Sequence, residues 1–352
     1  MRILVLINYP YERGHQYSAT IRWFFKYWPD PDVKIDVVDF SKIPLIHPIE
    51  RKLFHFYIIQ TLRILPRINQ YDLIYSDGAQ SAVLLAFLRS LLGIKYPPHV
   101  VLDIGCFNDG RRREIELKLI RELVESVSCV IYHARIQESY YRECLPSVWE
   151  RCRFVPIGVD PTYFSPRKIE EEDYVFCVGG HRGLKSRDWP TLMKAFGTLN
   201  SKTELRVVGN EKLGRSELRG EKVPKDVRFY PLVPRQHLKN VLGASIFSVL
   251  PLPYHAHSQG QFSLLESMAV GKAVIVSKVP GIIDYVEDGK TAVLYEPYNA
   301  EDLKEKVEFL LNNPQEAKRI GREARRSVEL YYNEENMARG IYKAIKELCK
   351  IN

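Results

Sequence analysis

Two series of short apolar runs, each followed by a stretch of helical period, organise this chain. Runs at 3–7, 33–38, 73–75, 100–104, 127–132 and 154–156 form the first series; runs at 174–178, 204–208, 227–230, 245–250, 273–276 and 292–295 form the second. Continuous apolar strands of this length are buried on both faces, which parallel sheets covered by helices provide. Between them, positions 303, 307 and 310 share one face of a helix over 300–311, which Asn312-Asn313-Pro314 ends. Positions 192, 195, 196 and 199 do the same over 190–199, and 334–348 reads as a last helix. The class is therefore α/β, with doubly wound sheets. A length of 352 residues agrees with two domains of about 150 residues each.

The boundary falls near Pro156-Ile157-Gly158-Val159-Asp160-Pro161, followed by the acidic run Glu170-Glu171-Glu172-Asp173. Glycine, proline and solvated charge suit a hinge and linker. The expected domains are 1–157 and 158–333, with the terminal helix, 334–352, packing back on the first. Two doubly wound domains facing each other would set the C-terminal ends of both sheets around a central cleft.

Charge and cysteine usage exclude several classes. The net charge is +8, and residues 1–160 hold 21 basic against 18 acidic side chains, so the excess is spread and forms no basic arm. Nucleic acid is not expected as a partner. Six cysteines at 106, 129, 144, 152, 177 and 349 form no C-x-x-C pair, which fits neither a zinc site nor a disulfide framework and suits a reducing cytoplasm. No apolar run approaches the ~18 residues of a bilayer span. The N-terminal Met-Arg-Ile-Leu-Val-Leu-Ile reads as a buried strand and not as a signal peptide.

The most informative stretch is Ser258-Gln-Gly-Gln-Phe-Ser-Leu-Leu-Glu266-Ser-Met-Ala-Val-Gly271. Gly260 breaks the preceding loop, a helix follows to about Val270, and Gly271 is a natural residue to end it. Glu266 is the only charged residue between 258 and 271 and shares a face with Phe262, so it should be partly buried. A buried carboxylate needs donors. These are either a neighbouring basic side chain or two adjacent hydroxyls, such as a ribose diol. Backbone N–H groups at the start of the same helix would face an anion.

A second stretch, Gly179-Gly180-His181-Arg182-Gly183-Leu184-Lys185-Ser186-Arg187-Asp188, follows a strand and precedes a helix. Its spacing is neither a P-loop nor G-x-G-x-x-G, which excludes an ATP or dinucleotide fingerprint. It is either a solvated basic loop or a diphosphate clamp.

Together with Pro280-Gly281-Ile282-Ile283-Asp284-Tyr285-Val286-Glu287-Asp288-Gly289 and Leu294-Tyr295-Glu296-Pro297, the 258–277 stretch resembles the donor-binding region of family 4 glycosyltransferases. Val155-Pro156-Ile157-Gly158-Val159-Asp160 with Phe164 and Pro166 is similar to the family's interdomain segment. Val178-Gly179-Gly180, Lys185 and Arg187-Asp188-Trp189-Pro190-Thr191-Leu192 are similar to the first turn of its donor domain. The resemblance runs in order over roughly 150–335. It implies a GT-B fold of two Rossmann-like domains, a nucleoside-diphosphate-sugar donor, retention of anomeric configuration, and neither cofactor nor metal.

By that resemblance the family's second glutamate falls on Glu266, where it would accept from the nucleotide ribose. The first falls on Ser258, a departure that replaces a charge with a hydroxyl. Gly260, Gln261 and Phe262 would supply backbone donors around the sugar and diphosphate. Lys185 keeps the family's offset from Gly179; Gly180 stands where an arginine is usual, so Arg187 and then Arg182 are the other cationic candidates. His257 is the histidine expected to line the donor site, and backbone groups near Asn210, Leu232 and Val233 would meet the base.

Charge-assisted bonds contribute about 1.5–3 kcal/mol each and a helix N-terminus up to about 2 kcal/mol, so two cations plus that terminus supply roughly 5–8 kcal/mol toward the leaving diphosphate. Orientation of the acceptor supplies the rest.

In the N-terminal half, Gly14 and His15 follow the first strand, Asp103 ends the fourth and His133 follows the fifth. These are the acceptor-side candidates, each with a bland reading as a capping or surface residue. Arg51 to Arg67 and the string Ile21-Arg-Trp-Phe-Phe-Lys-Tyr-Trp28 are basic and aromatic. They are read either as helices packed on the sheet or as a face for an anionic membrane on the inner side of the cell. The expected activity is sugar transfer to a hydroxyl-bearing glycan, glycolipid or lipid-linked acceptor. The rivals are an epimerase of the same fold and a non-catalytic nucleotide-sugar-binding partner.

Overall fold

The computed structural model describes residues 1–9, 11, 21–40, 50, 56–105, 114–166, 169–179, 187–209, 218, 220–231 and 233–349. The chain divides into two compact units. The first comprises Met1–Pro156, Ala256–Ser258 and Glu334–Asn352; the second comprises Ile157–His255 and Gln259–Asn333.

The first unit holds a six-stranded sheet of order β2-β1-β3-β4-β5-β6. Its strands are β1 (Arg2–Ile7), β2 (Lys34–Val38), β3 (Leu73–Asp77), β4 (His99–Asp103), β5 (Cys129–Tyr132) and β6 (Cys152–Phe154). Every pairing is parallel, for example Val5 opposite Val37 on one side and Tyr75 on the other. The second unit has order β12-β11-β10-β7-β8-β9, also parallel throughout. Its strands are β7 (Tyr174–Val178), β8 (Glu204–Val208), β9 (Val227–Tyr230), β10 (Ser248–Leu250), β11 (Val274–Ser277) and β12 (Val293–Tyr295). Each sheet is covered on both faces, as the buried Ile3 to Ile7 and the fully buried β11 require.

All twelve apolar runs become strands, nine of them with shifted ends. The tenth starts at Ser248 and not at 245, because Ser245 closes the preceding helix: its N–H and its hydroxyl both donate to Leu242 O. The helix Pro314–Leu330 is strongly amphipathic. Its buried face is Ala317, Ile320, Gly321, Ala324 and Val328, and at Gly321 the backbone passes so close to Gly271 that a Cβ would not fit.

The string at 21–28 is core. Trp23, Phe24 and Trp28 are buried, Phe24 stacks on Trp28 at 5.1 Å, and Tyr75 meets Phe24 edge-on at 4.8 Å. Arg22 is buried as well. Its Nε donates to Glu334 Oε2 at 3.0 Å and its Nη2 lies 2.6 Å from Oε1. This corrects the membrane reading of that segment: its cation has a carboxylate partner from the other end of the chain. The pair pins the terminal helix Glu334–Cys349, whose Met337, Ala338, Ile341, Ala344 and Ile345 are buried in the first unit. In the other segment, Tyr57, Gln60 and Ile64 are buried while Arg63 and Arg67 are exposed; Arg51 and Lys52 lie outside the described residues.

The five described cysteines are free. No described helix is long and apolar enough to cross a membrane.

Breaking a buried ion pair from one side strands the remaining charge, so Glu334→Ala is expected to lower unfolding free energy by about 3–5 kcal/mol. Urea titration followed by circular dichroism measures this, and a loss below 1 kcal/mol would show the pair to be solvated.

Candidate functional site

Strand order places the site in the second unit. β7 has β8 on one side and β10 on the other, so the chain leaves it in opposite directions. Open parallel sheets bind ligands outside the C-terminal ends of the strands at such a reversal. There β7 ends at Val178 and β8 at Val208, each followed by glycine. A Cβ on Gly209 would stand 3.0 Å from Gly179 Cα, so two strand ends meet as bare backbone.

Arg187 returns to this edge and is 6% exposed. Its Nε donates to Val178 O at 2.8 Å and its Nη2 donates to Ser263 Oγ at 3.2 Å. One guanidinium therefore reaches from the end of β7 to the first turn of the helix Gln261–Ala269. Burial lowers its pKa, opposed by the neighbouring Cys177, but arginine keeps its charge in proteins.

That helix starts at Gly260, whose φ of +83° belongs to the left-handed region. A Cβ there would also lie 2.5 Å from Leu252 Cδ1. Leu252 is itself fixed: its N–H donates to Ser277 Oγ at 2.7 Å, and that hydroxyl donates to Tyr295 Oη at 2.8 Å. Burial raises the Tyr295 pKa far above the ordinary phenol value, so the phenol stays neutral. The buried Gln261 side chain donates from Nε2 to Gly281 O at 2.8 Å, which leaves its backbone for the first turn. Phe262 is 43% exposed and Glu266 is half-buried. At the far end Arg325 Nη1 donates to Ala269 O at 2.6 Å and to Phe164 O at 2.8 Å, tying the helix to Pro314–Leu330. Cationic donors suit a helix C-terminus. The first-turn N–H groups, which no helix satisfies internally, are left at the strand-end crevice beside Arg187.

Residues 160–327 match the family model of glycosyl transferases group 1. The second unit is thus similar to glycosyl transferases group 1. An uncharacterized glycosyltransferase of Methanocaldococcus jannaschii is 34% identical over 101 residues, which span 29% of this chain and 28% of that relative. Among solved structures, Anabaena HepE in complex with UDP and glucose aligns with a TM-score of 0.74 at 14% identity, covering 99% of this chain and 100% of that one. Sucrose-phosphate synthase of Thermosynechococcus elongatus aligns with a TM-score of 0.75 at 16% identity, covering 99% of both chains. The fold is GT-B, built of two Rossmann-like domains.

Within the matched segment the structure brings together Arg187, Gly260, Gln261, Phe262 and Glu266. Val233 is half-buried and packs on that unit's apolar core. Gly180, Arg182, Lys185, Asn210 and Leu232 lie outside the described residues, as do Gly14 and His15 in the first unit. His257 and Ser258 fall with the first unit and not within the expected range 158–333. The His257 ring packs where Gly105 has no side chain, since a Cβ there would lie 2.9 Å from its Cγ, and Ser258 is buried.

Asp103 and His133 belong to the first unit. Both are buried at strand ends. The Tyr141 hydroxyl donates to Asp103 Oδ2 at 2.5 Å and Gly105 N–H donates to Oδ1 at 3.0 Å. His133 Nδ1 bonds Val155 O at 2.5 Å, and burial pushes its pKa down to about 4. These bonds serve the edge of the first sheet. Sequence reading missed Asp77, at the end of β3 beside β1, where the first sheet reverses. Its carboxyl is pushed up to about 6 by burial and accepts from the Tyr9 hydroxyl at 3.1 Å. It missed Arg325 too, because its partners Phe164 O and Ala269 O are backbone groups of distant segments. Among the described residues no three histidine, cysteine or carboxylate side chains gather as metal ligands.

Gly260→Ala meets both the left-handed backbone and Leu252, and should cost roughly 2–4 kcal/mol of stability. Thermal denaturation tests it, and an unshifted melting temperature would show that the loop relaxes freely.

His133 gives a pH dependence. Between pH 6.5 and about 4 the unfolded chain binds a proton here that the native protein does not. Stability therefore falls with acidification across that window and levels off below it, by about 3 kcal/mol from this group. His133→Gln should flatten that limb relative to the unsubstituted protein in urea titrations at stepped pH; parallel limbs would contradict the assignment.

Proposed function

We propose that the chain is a retaining glycosyltransferase that moves a sugar from a nucleoside-diphosphate donor to a hydroxyl of a glycan or lipid-linked acceptor in the cytoplasm. One observation carries the reading. The buried Arg187 guanidinium is hydrogen-bonded to the first turn of Gln261–Ala269 at the β7/β10 reversal, with Glu266 on the same helix. The match over 160–327 covers all of these residues.

In this reading the first-turn N–H groups and Arg187 hold the diphosphate, and Glu266 accepts from the two ribose hydroxyls. As the bond to the sugar breaks, negative charge grows on the leaving phosphate, where preorganised donors lower the barrier most. The leaving oxygen then takes the acceptor's proton on the same face of the sugar, which accounts for retention. These groups answer the charge without a resident metal. On the first unit, the β1/β3 reversal with Tyr9 and Asp77 is the edge assigned to the acceptor. The UDP and glucose of the HepE complex make UDP-glucose the first donor to test.

Ser258, in place of the family's first glutamate, favours a second reading: a partner that binds the nucleotide sugar without transferring it. The two separate on product formation.

UDP at a hundred times its dissociation constant should stabilise the protein by about 2.7 kcal/mol. Glu266→Ala removes charge-assisted bonds of about 1.5–3 kcal/mol, or roughly 10–100-fold in UDP affinity. Calorimetry of both proteins, with EDTA present, is the test. Unchanged affinity in the variant, or binding that EDTA abolishes, would refute the scheme.

A further inference from the structure

Tyr298 is the one described residue other than glycine whose φ is positive, at +63°. It stands third in the turn Glu296-Pro297-Tyr298-Asn299, which the Asn299 N–H closes by donating to Glu296 O at 3.1 Å. Proline in second place and a positive φ in third are the signature of a type II turn, whose third position favours glycine or asparagine. A tyrosine there sets its Cβ against the carbonyl that follows, and the backbone is strained. Strain of this kind persists only where something offsets it, and it gathers at functional sites.

Burial does not offset it, since Tyr298 is 58% exposed. What tyrosine supplies is a hydroxyl oxygen that accepts from the Tyr254 N–H at 2.8 Å, farther out than any atom of glycine or asparagine extends. Tyr298 follows the end of β12 and Tyr254 follows the end of β10, so the bond bridges two segments that leave the sheet on either side of β11. It is an outer counterpart of the buried tie from Leu252 through Ser277 to Tyr295. Leu252, two residues before Tyr254, stands against Gly260. The span 253–259, which has neither helix nor strand, leads on to the same glycine. Tyr254 is 54% exposed, so water replaces the bond at little cost to the fold. What is lost with it is the direction of the span.

We infer that Tyr298 is a positioning residue for the donor: its hydroxyl holds Tyr254, and so keeps the approach to Gly260 in place for the first turn of Gln261–Ala269. The inference rests on the donor reading above. A loop ordered beforehand spares the ligand the entropy of ordering it, and the strained turn is what that order costs the free protein.

Calorimetry with UDP, thermal denaturation and amide exchange on the full chain test it, with Tyr298→Phe and Tyr298→Asn. Both variants lose the hydroxyl and should bind UDP about three- to tenfold more weakly, the worth of one net hydrogen bond. Tyr298→Phe keeps the strained turn and should leave the melting temperature unchanged. Tyr298→Asn relieves the turn and should hold or raise it. A residue that served the fold alone would lower melting temperature and affinity together. In the unliganded protein the Tyr254 amide should exchange about tenfold faster in Tyr298→Phe, a readout that needs no donor. Unchanged exchange, full UDP affinity in either variant, or a weaker affinity that follows a lower melting temperature would each overturn the proposal. If the native protein binds no UDP, the donor reading falls and this one with it; if it binds and the variants bind as well, only this one falls.

Discussion

The contact between Leu252 and the bare Cα of Gly260 decides where the site helix begins. Leu252 belongs to the segment leaving β10, and its backbone N–H is buried against Ser277. An unmade bond at such a group would cost about 1–3 kcal/mol. Ser277 ends β11 and is bonded to Tyr295 at the end of β12, so three adjacent strand ends share one hydrogen-bonded relay. The relay fixes Leu252, Leu252 fixes the turn at Gly260, and the turn aims the first-turn N–H groups. Arg187 then joins that turn to β7 on the far side of the reversal. Electrostatic catalysis needs donors that do not reorganise as charge develops. In the proposed scheme the donors are backbone groups braced by the sheet itself.

The first unit uses similar chemistry to a different end. Asp103 and His133 sit at strand ends, where ligands bind in this architecture, yet their polar atoms bond Tyr141, Gly105 and Val155. A strand-end carboxylate is as useful for holding a loop as for holding a substrate, and the sequence pattern is the same in both cases. Asp77 differs in being at the reversal itself, beside β1, with a carboxyl that burial pushes up to about 6. Position in the strand order, which no local motif reports, separates the two kinds of group.

This explains which parts of the molecule were legible in the sequence. Twelve strands and two sheets could be read because continuous apolar runs have one physical use in a chain of this composition. The helix start at Gly260 and the half-burial of Glu266 were equally legible, from one glycine and one lone charge in an apolar face. The Leu252–Ser277–Tyr295 relay was not, since it joins residues from three elements and none has an unusual neighbour in sequence. The string Ile21–Trp28 misled for a related reason. A basic aromatic segment reads as surface until its arginine finds a buried partner at Glu334, which is a fact of tertiary structure.

The helix Val83–Leu91 raises the opposite question, why a segment that reads as core presents leucines to solvent. Turned so that Arg89 faced out, it would hydrate a guanidinium whose Nε and Nη1 now lie buried without a hydrogen-bond partner among the described residues. It would also cover leucine side chains, each of which gains about 1.5–3 kcal/mol on full burial. In water alone, both terms oppose the observed rotation. What holds it is local: Arg89 bonds Pro97 O beneath the helix, while Ser90 and Ser126 tie it to Glu114–Val124 through Glu122 O and Ala86 O. These bonds fix the loop that carries Leu92, Lys95 and Tyr96.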